Sequence, residues 1–435
     1  MKRASPSRSK SSRRVLILGA GSFAHSHGTI LRECGAEALV LLTRPMGRYP
    51  ASLAGPVFEP ERDGSWEKAI READPDWILP MSIDWMRRPE AGILLERGIF
   101  APSLEGMRLE RDRDFARRLC RRCGVPAPRA YVARNRIEAE RLLERRPIAW
   151  VIKNPLCSPE SPVHTIVCRS PEETAAWLPH LDFAEGVFLQ EYMGADEAGH
   201  IALISAGQVW PLATNREYKR SFAADLGPLA GVPLGGTVEA DPEDRYGLAR
   251  ALIRPLLPWF RETGFHGPVQ ATAARRGGKW CLLEYNVRLG VTSGPLILRM
   301  LENPLAVLEA CVRDRPPPIR FRKEARAGVS AALVGYGFPY PEVKTPAFPV
   351  RLLGEPLCDV WWNEVRPDPS GRLTAEGQRL AEVCAIGPSA ATARGKVYGT
   401  LSRIEVPGSY YRPDIGLDRG PLEEDRERGD CGNEE

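Results

Sequence analysis

No stretch of the 435 residues approaches the ~20 apolar residues that cross a bilayer, which excludes an ordinary membrane-spanning helix. Cysteine is sparse and unpatterned. The ten cysteines are scattered, with no dense spacing that reads as a disulfide framework, so free thiols in a reducing compartment, by default the cytoplasm, are expected. The one local pair, Cys120 and Cys123, lies in a stretch patterned as an amphipathic helix, and the six histidines supply no second half for a zinc site. A strong excess of one charge is also lacking. The formal net charge is +4, and much of it lies in Met1 to Arg14, a Ser-, Lys- and Arg-rich segment with almost nothing to bury and expected to be disordered. Such tails bind phosphates without sequence preference, but a solubilising role suffices here and a nucleic-acid partner is not expected. Arg13-Arg14 ahead of Val15 to Leu18 has the opening of a secretion signal. The apolar run ends at Gly19, however, well short of the ~7–15 residues a signal needs, and fits a buried first strand better.

With 43% hydrophobic residues the chain has enough apolar material for several domains. Val15 to Leu18, the turn Gly19-Ala20-Gly21-Ser22, a helical stretch to Cys34 and a strand at Ala38 to Leu42 form one βαβ unit. Its glycine turn lies where a phosphate can approach a helix N-terminus, although a tight packing turn explains it as well. Strands at Trp77 to Pro80 and Gly98 to Ala101 continue the alternation to about Pro102. Asp112 to Cys123 reads as a basic helix stopped by Gly124 and the following prolines. Strand-type runs at Trp150 to Lys153, His164 to Arg169, Val187 to Tyr192 and His200 to Ala206, with a helix at Pro171 to Leu178, suggest a compact α+β module. A glycine-rich loop region, Lys219 to Gly236, precedes an expected long helix from Pro242 to Thr263. Strands at Pro268 to Ala274 and Trp280 to Tyr285 follow, joined by a turn at Arg275 to Lys279. Pro316-Pro317-Pro318 reads as a linker, Gly328 to Gly335 opens a third domain that closes near Tyr410, and the acidic tail from Asp418 is expected to be disordered.

The chemistry concentrates in Leu283-Glu284-Tyr285-Asn286-Val287-Arg288. Strand alternation is expected to put Glu284, Asn286 and Arg288 on one face. A carboxylate and an amide oxygen are hard ligands suited to magnesium, and an arginine beside them can clamp a phosphate. Phosphoryl transfer asks for this kind of positioning and charge neutralisation. Lys153, ending an apolar strand, is placed to meet a nucleotide phosphate, since a lysine is otherwise costly to bury. Leu189-Gln190-Glu191-Tyr192-Met193 runs into a loop that supplies Glu197, an arrangement for gripping adenine and ribose.

These segments, taken in order with Leu109-Glu110…Arg113…Phe115, Asp196-Glu197-Ala198, Tyr218-Lys219-Arg220, Leu226-Gly227-Pro228, Leu296 to Leu301 and Tyr411 to Gly416, resemble glycinamide ribonucleotide synthetase, the phosphoribosylamine–glycine ligase family of the ATP-grasp superfamily. The resemblance covers nearly the whole chain between the two tails. It implies a multidomain α/β and α+β fold: a basic tail (1–14), an N-terminal α/β or pre-ATP-grasp domain (15–105), a two-lobed ATP-grasp unit (106–315, smaller lobe about 125–192), a C-terminal α+β domain (325–417) and an acidic tail (418–435). It also implies ATP and Mg2+ as cofactors. Arg113, standing where the family has lysine, and Lys153 would bind ATP phosphates, Glu191 would lie at the adenine hinge and Glu197 at the ribose. Glu284 and Asn286 would hold magnesium, and Arg288, Lys219 and Arg220 would be catalytic. The partners implied are a small-molecule carboxylate and an amine, joined by a monomer or homodimer in the cytoplasm as part of purine biosynthesis.

Several family features are altered. The glycine-rich flap is here Asn154 to Pro162, whose prolines lack the N–H groups that cradle phosphate, and Glu160 would repel one. Gly-Gly-Arg-Glu-His has become Gly21-Ser22-Phe23-Ala24-His25, a Pro-Glu pair is Met81-Ser82, an Asp-Pro-Glu is Val291-Thr292-Ser293, and the loop Gly227 to Gly231 lacks an asparagine. The losses fall on the sugar-phosphate and amino-acid side of the cleft. An ATP-dependent carboxylate–amine ligase with altered specificity is the first reading. A catalytically degenerate nucleotide- or partner-binding module is the second. A dinucleotide oxidoreductase built on Gly19-Ala20-Gly21 is the third, and lacks both a third glycine and an acid directly after the second strand.

Overall fold

The computed structural model describes residues 12–157, 165–340 and 342–417. Both expected tails, except for positions 12–14 and most simply Arg14 in the first strand, and flap residues 158–162 therefore lie outside the described residues. The N-terminal sheet contains β1 (Arg14–Gly19), β2 (Glu37–Leu42), β3 (Val57–Phe58) and β4 (Trp77–Pro80), in the order β3-β2-β1-β4. β1 pairs in parallel with both β2 and β4. Because the first helix, Gly21–Glu33, and the helix Trp66–Ala73 cover this sheet, its central strand is buried along Val15 to Gly19 and reads as an unbroken apolar run. The expected strand at Gly98 to Ala101 shrinks to a single bridge between Ile78 and Ile99.

The segment read as the smaller lobe carries its own four-stranded sheet: β5 (Ala130–Ala133), β6 (Trp150–Lys153), β7 (Ile166–Val167) and β8 (Val187–Glu191), in the order β5-β8-β6-β7. Its core is separate from the others, with Trp150, Ile152 and Leu189 fully buried against Ala139 and Leu178. The fourth strand expected in this module, His200 to Ala206, is instead part of β9 (Glu197–Ser205) and belongs to a different sheet.

That larger sheet has eight strands. Besides β9 it uses β10 (Gln208–Glu217), β13 (Gly235–Ala240), β14 (Gly267–Arg276), β15 (Lys279–Asn286), β16 (Ala327–Val334) and the strands Asp359–Trp362 and Arg379–Gly387. Between β10 and β13 lies a two-stranded hairpin, β11 (Arg220–Phe222) and β12 (Leu226–Leu229), within the stretch read as a loop. The β14–β15 turn is tight because Gly277 and Gly278 both take left-handed φ, 56° and 73°. β16, expected to open a third domain, pairs directly with β13, so hydrogen bonding is continuous across the proline linker.

The expected helix from Pro242 to Thr263 is broken. Leu248–Leu252 and Leu257–Glu262 are helical, with a 3-10 turn at Arg254–Leu256 between them. Pro255 and Pro258 are the physical reason: neither can donate a helical hydrogen bond, and each ring crowds the preceding turn.

Candidate functional site

The cleft between the small-lobe sheet and the eight-stranded sheet gathers most of the expected residues. The helix Arg113–Cys123 starts with Asp112 as its cap, accepting Phe115 N–H at 2.8 Å, and this cap directs Arg113 toward the cleft. Arg113 donates through Nε to Asn154 O at 3.0 Å and through Nη1 to Glu284 Oε2 at 3.2 Å. Lys153, at the end of β6, brings Nζ to 3.8 Å from the same oxygen. On the other side Lys219 Nζ donates to Glu197 Oε2 at 3.0 Å.

Burial and mutual charge set the protonation states. Burial lowers the Lys153 pKa to about 8, with Arg113 and Lys219 pushing the same way and Glu284 opposing. For Glu284, burial favours the acid, but Lys153, Lys219 and Arg113 together outweigh it and hold the carboxyl well below the usual carboxylate range. Burial also opposes the Lys219 charge, yet Glu197, Glu284 and Glu217 raise its pKa well above that of an ordinary lysine.

Alternation along β15 is interrupted. The register with β14 shifts between Thr272 and Ala273: Glu284 faces Thr272 and Leu282 faces Ala273, leaving Leu283 as an extra residue. This bulge aims Leu283 O at the small lobe, where Gln190 Nε2 donates to it at 3.0 Å. Glu284 and Asn286 share a face as expected, but Arg288 lies beyond the strand end. It is held by Glu110, which accepts Arg288 Nε at 3.1 Å and Val287 N–H at 2.7 Å. Glu110 is the main reason the Arg288 pKa is raised.

Two further expectations change. Arg220 does not join the group, because Nη1 turns back onto Gly227 O of its own hairpin at 2.8 Å. The glycine turn after β1 is not left open to a phosphate: Asn363 Oδ1 accepts Ser22 N–H at 3.0 Å, and His25 Nδ1 accepts Trp362 N–H at 3.1 Å. Gly21 has φ +53°, and a Cβ there would collide with Asn363. Glu191 sits at the mouth, bonded by Arg276 Nη1 at 3.0 Å. Cys120 and Cys123 lie on the helix as expected. Among the described residues the one group of metal-type ligands, His200, Asp241 and Asp244, includes neither.

No motif assigns a role to Glu110 or to the polar floor beside Lys219. Asn215, Glu217, Gln270 and Thr272 line a hollow of about 180 Å³ with Glu197 and Gly199, and Asn215 Oδ1 is buried there without a partner among the described residues. Next to it a cleft of about 450 Å³ runs past Arg113, Glu284 and Gln190 toward Cys120. Strand pairing brings the floor residues together, and Glu110 reaches Arg288 from the short helix Arg108–Arg111, so no local spacing announces them.

The residues fit a magnesium-bound polyphosphate. Arg113, Lys153 and Lys219 supply positive charge around Glu284, while the Asn286 amide and the terminal nitrogens of Arg288 make no hydrogen bond among the described residues. A carboxylate with neutral oxygens is the donor set that magnesium takes.

The chain matches no protein-family profile. It is 27% identical over 344 residues to a phosphoribosylamine–glycine ligase of Streptomyces coelicolor, covering 75% of this chain and 78% of the relative. Its identity to the enzyme of the same name from Chlorobaculum tepidum is 25% over 431 residues, 93% of this chain and 99% of the relative. Among solved structures, phosphoribosylamine–glycine ligase from Thermotoga maritima superposes with a TM-score of 0.76 at 23% identity, over 92% of this chain and all of that one. The biotin carboxylase domain of Hydrogenobacter thermophilus 2-oxoglutarate carboxylase, solved with magnesium ADP and bicarbonate, gives 0.67 at 15% identity over 94% of each chain. Over most of its length the chain is similar to phosphoribosylamine–glycine ligases, and it takes the ATP-grasp fold.

Proposed function

We propose that this chain is an ATP- and magnesium-dependent ligase that joins a carboxylate to an amine. The observation that carries the reading is the convergence of Arg113, Lys153 and Lys219 around Glu284 at the seam between the lobes. Arg113 and Lys153 bind the phosphates of ATP, Glu191 lies at the adenine and Glu197 at the ribose. Magnesium, held by Glu284 and Asn286, would neutralise phosphate charge and keep the transferred group in line. A substrate carboxylate oxygen attacks the γ-phosphorus and ADP leaves. The amine nitrogen then attacks the acyl carbon, phosphate departs with the C–O electron pair, and the nitrogen loses a proton to leave an amide. Arg288, oriented by Glu110, faces the transferred phosphoryl group, and Lys219 adds charge from the opposite side.

The amine differs from that of the relatives. Asn363 and the Trp362 backbone already take the Ser22 N–H and His25 Nδ1 where the altered N-terminal turn meets the C-terminal strands. This supports a changed amine substrate, and it is also the observation that favours the second reading, a nucleotide-binding protein without turnover. Pooled amines and carboxylates with ATP and magnesium, followed by mass spectrometry for an amide and by phosphate release, separate the two. The ligase reading predicts an amide product and its loss in Glu284→Ala. Calorimetric binding of magnesium ATP with no product from any pair would leave the binding module, and phosphate release unchanged in Glu284→Ala would refute the site.

A further inference from the structure

We propose that Arg412 is a positioning residue for Lys219, acting through the hairpin that Lys219 precedes. The closing segment Tyr411 to Gly416 has no part in the nucleotide cleft, yet it folds back onto β11 and β12. Arg412 is fully buried. Its Nε and Nη2 donate to the two oxygens of Asp414 at 2.9 and 2.6 Å, a bidentate pair. Nη1 donates to Arg220 O at 2.9 Å and to Asp225 Oδ1 at 3.1 Å. The guanidinium also lies 5.0 Å from the centre of the Tyr218 ring.

These contacts fix the chain on both sides of Lys219. Before it, Tyr218 is buried and its hydroxyl accepts Gly416 N–H at 3.0 Å. After it, the Arg220 carbonyl is held by Arg412 itself. The hairpin turn needs such support, because Ala224 and Asp225 take φ of +57° and +53°, a conformation that costs a residue with a Cβ. Asp414 Oδ2 accepts Ala224 N–H at 3.1 Å, and Tyr410 OH accepts Ala223 N–H at 3.2 Å. A strained turn held from outside at three points transmits its geometry to Lys219, and so to the Lys219–Glu197 ion pair at 3.0 Å.

The catalytic weight of Lys219 rests on the ligase reading, whereas its positioning by Arg412 does not. The test is the pH profile of acylation of Lys219 by an amine-reactive reagent, read by peptide mass spectrometry with the exposed Lys68, on the helix Trp66–Ala73, as internal reference. In the intact protein Lys219 is expected to label slowly, because its ion pair with Glu197 at 3.0 Å favours the charged form. Arg412→Gln is expected to label Lys219 about tenfold faster at a given pH for each unit by which its pKa falls. Lys68 should keep its profile. Arg412→Lys, which keeps the charge but not the bidentate geometry, should fall between. If Arg412→Gln does not fold, Tyr218→Phe, which removes only the hydroxyl bonded to Gly416, takes its place with a smaller rise expected. An unchanged Lys219 profile in the folded variant, or a rise shared equally by Lys68, overturns the proposal. Absence of any amide product from the unaltered protein would instead overturn the ligase reading and leave the labelling result to judge Arg412.

Discussion

Lys153 should make nucleotide affinity fall with pH in a range where an ordinary lysine would not respond. Its ammonium is buried beside Arg113, and its pKa is lowered to about 8. Polyphosphate binding requires the charged form. The free protein is therefore fully competent well below that value and loses affinity as pH rises through it. At pH 9 about a tenth of the sites would carry the charge, so affinity for magnesium ATP should be about tenfold weaker than at pH 7, or ~1.4 kcal/mol. The nucleotide itself contributes little, since its phosphates are fully ionised across that range when magnesium is bound. Lys153→Arg keeps a charge that does not titrate, so its affinity should stay flat over the same interval even if lower at pH 7. Isothermal calorimetry at pH 7, 8 and 9 on both proteins measures this directly. A flat profile in the unaltered protein, or the same slope in Lys153→Arg, would refute the placement of Lys153 on the phosphates.

Glu110→Ala leaves the Val287 N–H and the Arg288 guanidinium without their acceptor, and should lower stability by about 2–4 kcal/mol in urea unfolding; a cost under a few tenths would show that Glu110 does not anchor Arg288. Gly199→Ala would drive a methyl into Asn215 Oδ1 and to 3.3 Å from Gln270 Nε2, so magnesium ATP should bind about tenfold more weakly, with ~1–3 kcal/mol of overpacking strain. Calorimetry showing undiminished affinity would mean that the polar floor plays no part in nucleotide binding. Asn363→Ala frees the Ser22 N–H and should cost about 1 kcal/mol in thermal or urea unfolding; no loss would indicate that water replaces the cap at no cost.

Strand existence was legible wherever burial on both faces produced an apolar run, as in β1, β6 and β14. It was not legible where a strand is short and half exposed. In β5, Tyr131 and Val132 face outward between two buried alanines. The break in the predicted helix was visible in principle, since Pro255 and Pro258 stand in its middle, but helical periodicity on either side outweighed them. For the site, the order of motifs was enough to bring Arg113, Lys153, Lys219, Glu197 and Glu284 into one cleft. Arg220 follows Lys219 in sequence yet turns onto Gly227 O, because adjacency says nothing about which way a hairpin turns. Asn363 lies 341 positions from Ser22, and only the closing of the C-terminal strands over the first helix brings them together.

The direct pairing of β13 with β16 makes the prolines at 316–318 a poor place to cut. Gly235–Ala240 meets Ala327–Ala331 along five paired positions, and β16 continues into Arg379–Gly387. A fragment ending at the prolines would carry β13 with a bare row of amides and carbonyls, as would its complement along β16, and each would tend to aggregate when made alone. Made together, the two halves have a ready template for recombining at that edge. The chain is thus better suited to splitting into a complementing pair than to trimming into an independent catalytic core.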